Sequence, residues 1–245
     1  MSRFFVSPSA VTEDVIRITD PGDVKHIRKV LRMRLGDAVE VSDGDRWEYA
    51  GAIEAIADDQ VVIRIADKQA FARELALEVT LYQGIPKAGK LETVVQKCTE
   101  LGVYAVVPVF MKRSVVTAGP GLDRKLERLQ RVADEAVKQC RRGRIPQVGP
   151  AMTFGEMLQA LPEADVVLFP YENEEKRTLK DVLRSIQPVP RSVAIVIGPE
   201  GGFSEEEAQA LDQAGAHRAS LGKTILRTET AGMAALAMTL YEWEL

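Results

Sequence analysis

Cysteine and histidine are scarce, with two of each in 245 residues. Cys98 and Cys140 lie in or beside helical patterns, without CxxC spacing and without a histidine cluster nearby, which argues against a disulfide framework and against a metal site. A reducing, cytoplasmic compartment fits that usage. No apolar run reaches the roughly eighteen residues that a membrane-spanning helix needs, and Met1-Ser2-Arg3-Phe4-Phe5-Val6 lacks the apolar centre of a signal peptide. The expectation is a soluble protein kept inside the cell, with no membrane partner. Repeats and low-complexity segments are missing too. So is an excess of positive charge: the formal net charge is -4, which disfavours a protein that coats nucleic acid through many neutralised phosphates.

What is present is local. Residues 25–34 carry five lysines and arginines and no acid, and residues 138–144 carry four more with no acid. Basic patches on an acidic chain suit a specific anionic partner, although either run alone also suits a solvated helix face. At this length roughly 70 to 75% of the unfolded chain's surface can be buried. The first seventy residues read as short strands around one helix, which Asp20 caps and Pro21 opens. The Asp43-Gly44 pair predicts a hairpin turn, and residues 67–74 predict a charged linker. Further on, strands at 77–83, 105–110, 166–169 and 193–197 alternate with helices at 89–101, 122–137, 179–186, 205–214 and 228–243, with Asp123 a candidate cap. That rhythm predicts an α/β fold with a parallel sheet covered by helices.

Ligands of open parallel sheets bind beyond the carboxyl ends of strands, so the strand exits carry most of the functional information. Three stand out: Phe169-Pro170-Tyr171-Glu172, Ile197-Gly198-Pro199-Glu200-Gly201-Gly202, and the connection from Ser220 to Ala231. Glycines at the second exit let backbone approach a flat ligand closely, though they also suit a tight turn on its own. The helix after it opens with the capping box Ser204-x-x-Glu207 and with Glu205 and Glu206 in its first turn. Those acids occupy the positive helix end that a phosphate would need, and the glycine spacing is not that of a dinucleotide fold. Gly222-Lys223-Thr224 resembles the end of a phosphate-binding loop, but the position that requires its first glycine holds His217. Neither His26 nor His217 forms a catalytic pair by spacing. The last helix is rich in small residues, which suits close packing or plain helix propensity. Arg227 and Glu229 at its start read either as an ion pair or as groups that act on a ligand.

Several motifs together resemble the SPOUT class of methyltransferases, and within it the ribosomal RNA small subunit methyltransferase E family. They include Arg3-Phe4-Phe5-Val6, the run His26 to Arg32, Gln96 to Val103, Arg113-Ser114-Val115-Val116 and Glu135 to Cys140. The specific ones are Ile197 to Phe203 and Ile225-Leu226-Arg227-Thr228-Glu229-Thr230-Ala231, and the likeness spans the whole chain. Cys98 and Cys140 stand where that family commonly has small residues. The resemblance implies a small N-terminal PUA-like β-barrel over 1–72 that docks RNA. Over 73–245 it implies a SPOUT-type parallel sheet with a trefoil knot, in a homodimer whose active site is completed across the subunit interface. The reaction implied is S-adenosyl-L-methionine-dependent methylation of N3 of a uridine in 16S rRNA, as naked RNA or in the small ribosomal subunit. The alternatives are another RNA position, a ribose 2′-hydroxyl or another base, and a non-catalytic assembly factor on the same fold.

On that resemblance the cofactor is expected against Leu168, Phe169, Pro170, Tyr171 and Glu172, against Ile197, Gly198, Pro199, Glu200, Gly201 and Gly202, and against Leu221, Gly222, Ile225, Leu226, Thr230 and Ala231. Arg227 is expected to stabilise the anion that forms on the uracil ring. Glu200, Glu229 and Glu172 are candidates for taking the N3 proton, with water as the alternative acceptor and an Arg227–Glu229 ion pair as the structural one. RNA is expected on Arg3, His26, Arg28, Arg32 and Arg34, and on Arg113, Arg141, Arg142 and Arg144. Replacing Arg28 and Arg32 together should weaken RNA binding and flatten its salt dependence without changing cofactor affinity; filter binding across a salt series measures this, and an unaltered slope would refute it.

Overall fold

The computed structural model describes residues 2–117 and 119–244. The chain forms two compact units, residues 1–74 with 137–145, and residues 75–136 with 146–245.

In the first unit β1 (Ser2–Phe5), β2 (Val15–Ile18), β3 (Ala38–Ser42), β4 (Trp47–Ile56) and β5 (Val61–Ala70) form one sheet in the order β1-β3-β4-β5-β2. Only the β1–β3 pair is parallel. Alternate residues of all five strands, among them Phe4, Ile16, Val39, Val41, Tyr49, Ile53 and Ile63, meet in one core with Val24 and Ile27. Register shifts on β4 at Ala50/Gly51 and Ile53/Ala55 bend that long strand, as bulges do. Helix α1 (Pro21–Lys25) opens as its sequence demands, with Asp20 Oδ1 accepting the Asp23 amide at 2.8 Å, and continues as a π-helical turn over His26–Val30. The expected linker begins later than residue 67, because β5 stays paired with β4 as far as Trp47↔Ala70.

Residues 137–145 join this unit through buried charge. Arg3 pairs with Glu48 at 2.5 Å and donates to the carbonyls of Arg141 and Arg142, at 2.5 and 3.1 Å. Glu74 accepts the Arg142 guanidinium at 2.8 Å and the amides of Gly143 and Arg144 at 2.8 and 3.0 Å. Removing one partner from such a pair strands a charge in low dielectric, at a cost of about 3–5 kcal/mol. Arg3 and Arg142, expected on RNA, are buried instead and hold the fold together.

The second unit holds a fully parallel seven-stranded sheet in the order β12-β10-β11-β6-β7-β8, with β9 also on β7. Its strands are β6 (Glu78–Gly84), β7 (Ala105–Phe110), β8 (Gln147–Val148), β9 (Met152–Thr153), β10 (Val166–Pro170), β11 (Ser192–Ile197) and β12 (His217–Ala219). The helices are α2 (Lys90–Leu101), the part of α3 (Leu122–Cys140) up to 136, α4 (Phe154–Ala160), α5 (Leu179–Ser185), α6 (Glu205–Gln213) and α7 (Thr228–Trp243). Successive residues of β10 enter opposite cores, Val166 and Leu168 on one face and Val167 and Phe169 on the other. That is why the strand reads as a continuous apolar run rather than an alternation. Asp123 lies in the first turn of α3 rather than at its cap. Helix α7 approaches β6 closely because Gly232 has no side chain: a Cβ there would lie 3.0 Å from Gln83 Oε1. Glu244 then accepts the Ala76 and Leu77 amides at 2.9 and 3.0 Å, tying the end of the chain to the start of this unit.

Among the described residues no helix is long and apolar enough to cross a membrane, and no cluster of metal-ligating side chains occurs. Cys98 is fully buried on α2, which pushes its thiol up to about 12. A disulfide-exchange reagent applied to native protein at pH 8 should therefore modify at most Cys140, with the second thiol reacting only after denaturation.

Candidate active site

Because β12, β10, β11 and β6 are adjacent and parallel, their exits open on one edge of the sheet. The order also reverses between β11 and β6, where a crevice forms in such sheets. Three connections cross that crevice. Gly84, at the end of β6, passes so close to the glycine loop that a Cβ would lie 2.6 Å from Pro199 N. Gln83 Nε2 donates to Thr228 Oγ1 at 2.8 Å, and Thr228 Oγ1 donates to the Gly198 carbonyl at 2.5 Å, all of it buried. The structure thus brings together the exits of β6 and β11 and the start of α7.

The exit of β10 joins them from the other side. Tyr171 N donates to Ala219 O at 3.0 Å, and Glu172 lies against Gly202, where a Cβ would come within 2.2 Å of its Oε1. The loop needs glycine there for a second reason, since Gly202 has φ +65°. Phe169, Tyr171 and Phe203 pack as an aromatic cluster, with Phe169 and Phe203 edge to face at 5.9 Å and Arg218 stacked over Tyr171. Leu168 and Phe169, expected on the cofactor, have their side chains buried in the two cores, and Pro170 is the first half-buried residue of the strand. The third exit is open: Ile225 is 83% exposed, Gly222 and Arg227 are exposed, and Leu221, Leu226 and Ala231 are half-buried.

The charges are arranged differently from expectation. Arg227 caps α7 through its backbone alone, and its guanidinium makes no hydrogen bond or ion pair among the described residues. Glu229 does not pair with it. Its partner is Lys90 at the start of α2, whose Nζ lies 3.3 Å from Glu229 Oε2 and 3.5 Å from Glu200 Oε1. Glu200 also accepts the Lys87 amide at 3.0 Å. Burial opposes ionisation of Glu200, but the Lys87 and Glu200 amides and the Lys90 ammonium outweigh it and hold the carboxyl below its usual range. Lys90 was invisible to sequence reasoning because its partners lie 110 and 139 positions further along the chain.

Of the remaining expected RNA contacts, His26, Arg32, Arg34 and Arg141 are exposed. Arg28 is half-buried and pairs with Asp58 at 2.5 Å, and Arg144 donates to Asp45 O at 3.3 Å. Arg113, at the exit of β7, donates to Gly201 O at 2.9 Å, so it supports the glycine loop as well as presenting charge beside it. A cavity of about 200 Å³ lies next to the β6 exit, lined by Ile85, Pro108, Val116, Leu122 and Lys125 among others, away from the three exits expected to hold a ligand.

The donor set suits a ligand without phosphate. Helix α6 starts with three glutamates, and its capping box, with Ser204 Oγ accepting the Glu207 amide and Glu207 Oε2 the Ser204 amide, occupies the helix end. Hydrogen bonds from its own amide and from Ser204, with the Lys112 ammonium, bring the Glu206 carboxyl down to about 2. What the crevice offers instead is main chain from glycines, apolar walls and carboxylates, the groups that suit an adenine ring and a cationic sulfonium.

Comparison with known proteins agrees. Residues 73–240 match the RNA methyltransferase domain family and residues 18–66 the RNA methyltransferase PUA domain family, which sets the class as an RNA methyltransferase with a PUA domain. The chain is 34% identical to ribosomal RNA small subunit methyltransferase E of Bacillus subtilis, over 100% of its own length and 98% of that protein's. The enzyme of the same name from Neisseria gonorrhoeae, solved bound to S-adenosyl methionine, superposes with a TM-score of 0.87 at 28% identity, covering 100% of this chain and 98% of that one. A putative methyltransferase from Legionella pneumophila, in complex with the same cofactor, gives 0.83 at 30% identity over 98% and 96%. The chain belongs to the ribosomal RNA small subunit methyltransferase E family.

Gly84→Ala should destabilise the protein by about 1–3 kcal/mol, because the new Cβ would meet the Gly198–Pro199 main chain and the Pro199 ring, neither of which can yield cheaply. Chemical denaturation measures it, and an unchanged midpoint would show that the crevice is looser than its geometry states.

Proposed function

We propose that this chain is an S-adenosyl-L-methionine-dependent methyltransferase acting on N3 of a uridine in 16S rRNA. The observation that carries the reading is the crevice itself: two strand exits and the start of α7 joined by a buried hydroxyl and lined by main chain, in a chain related along its whole length to enzymes of that name. The solved relatives bound to S-adenosyl methionine support the choice of donor. When bound, the donor supplies an electrophilic methyl group on a cationic sulfur.

The residues do the rest. Gly198 to Gly202 and Leu221 to Leu226 would hold the adenosine of the donor, with Ile225 and Leu221 as apolar walls. Uridine N3 carries a proton, so methylation requires the N–H bond to break towards a base. With the donor bound, the freed nitrogen pair would take its methyl group while the carbon–sulfur pair stays with sulfur. Arg227, exposed and unpaired at the mouth, is placed to offset negative charge on the uracil oxygens; a fixed cation needs no reorganisation in the transition state. Glu229, beside it on α7, is the proton acceptor we favour over Glu200, whose Oε1 already takes the Lys87 amide, and over Glu172, which is exposed.

The proposal extends to the division of labour, with residues 1–72 docking RNA through His26, Arg28, Arg32 and Arg34, and residues 73–245 carrying the reaction. It includes a homodimer, a cytoplasmic location, and 16S rRNA or the small subunit as partner. Incubation with radiolabelled S-adenosylmethionine and unmodified small subunits, or naked 16S RNA, followed by nucleoside mapping tests it. Label in 3-methyluridine is the expected result. Label in a ribose-methylated or other nucleoside would replace the uridine assignment, and RNA binding without label would favour an assembly factor. Arg227→Ala should lower the rate by about 100-fold with little change in cofactor affinity.

A further inference from the structure

Lys90 sits where a cation is least welcome. It is the first residue of α2, at the positive end of the helix, with no side-chain cap before it. The chain reaches it through two consecutive left-handed residues, Ala88 at φ +51° and Gly89 at φ +73°. For alanine that conformation costs about 1–2 kcal/mol, and strain of this kind persists only where its surroundings impose it. The same short stretch places the Lys87 amide on Glu200 and the Lys90 ammonium between Glu200 and Glu229.

Resting on the function proposed above, we infer that Lys90 is a positioning residue. Its ammonium, set between the two carboxylates, holds Glu229 by one oxygen so that the other faces the target nitrogen. Glu229 Oε2 is buried beside Lys90 without an aligned hydrogen bond, and Oε1 takes no hydrogen bond among the described residues. Of the elements packed on α7, α2 contributes Lys90, β6 contributes the neutral Gln83, and the loop after β11 contributes Glu200. Arg184 of α5 pairs with Glu242 at the opposite end of α7. Lys90 is therefore the cation that offsets both Glu229 and Glu200, and the first turn of α7 adds a favourable dipole for Glu229.

Removing a cation beside a carboxylate raises the pH at which that carboxylate ionises. The test uses whole protein carrying ¹³C-carboxyl glutamate, with E200Q identifying the Glu200 resonance. K90M and K90Q should each move the Glu200 midpoint up, and K90R should restore it. In single-turnover methyl transfer K90M should be about tenfold slower than wild type, with K90R recovering most of the rate. The cofactor affinity and melting temperature of K90M should stay close to wild type, since Lys90 is a third exposed. An unmoved Glu200 midpoint in both variants, or a wild-type rate in K90M, would overturn the role. Wild-type protein that methylates no uridine would sink the functional reading alone, because the carboxyl titration still decides what Lys90 does.

Discussion

The crevice depends on one buried hydroxyl. Thr228 Oγ1 accepts from Gln83 and donates to Gly198 O, so a single atom ties the end of β6, the glycine loop after β11 and the first residue of α7. A hydroxyl is suited to that place because it both donates and accepts, whereas a methyl group would leave a buried amide and a buried carbonyl unsatisfied. Gln83 is itself constrained, with its amide also on Gly84 O and its Oε1, against Gly232, without a hydrogen-bond partner among the described residues. Arg227 and Glu229 flank Thr228, so their positions follow from a bond that touches neither of them.

Electrostatics complete what the hydroxyl begins. The glycine loop is followed by a helix whose capping box and first-turn glutamates make its start self-sufficient, and the exit of β6 presses on its Pro199. Carboxylate charge at that edge suits a cationic ligand, and the filled helix end leaves no place for a phosphate. Lys90 moderates it, offsetting two carboxylates from the end of a helix that would otherwise exclude a cation. The strained approach at Ala88 and Gly89 is the local cost of that arrangement.

Much of this was legible in the sequence where the signal is local. Asp20-Pro21 and Ser204-x-x-Glu207 name their helix starts because a cap is satisfied within three residues. The β-branched runs at 105–110 and 193–197 name buried strands, and the glycines mark where chains pass closely. What the sequence hid is long-range. Arg3 and Arg142 look like RNA contacts because arginine is basic wherever it stands, and only Glu48 and Glu74, distant in the chain, reveal them as buried pairs. Helix α4 has its own Thr153–Glu156 capping box, a local signal passed over because seven residues leave little periodicity to read. The charged stretch that looked like a linker keeps pairing as far as Ala70 because β4 is long enough to hold it.

The capture of residues 137–145 by the first unit has a consequence for biosynthesis. Arg3 and Glu74 find their remaining partners only in a segment that leaves the ribosome much later. The five strands can therefore pair while these charges are still open, and the charges close only after more than half the chain has been made. A gene fragment ending at residue 74 would encode every strand of that sheet and still leave Glu74 and part of Arg3 without the groups they were buried to meet.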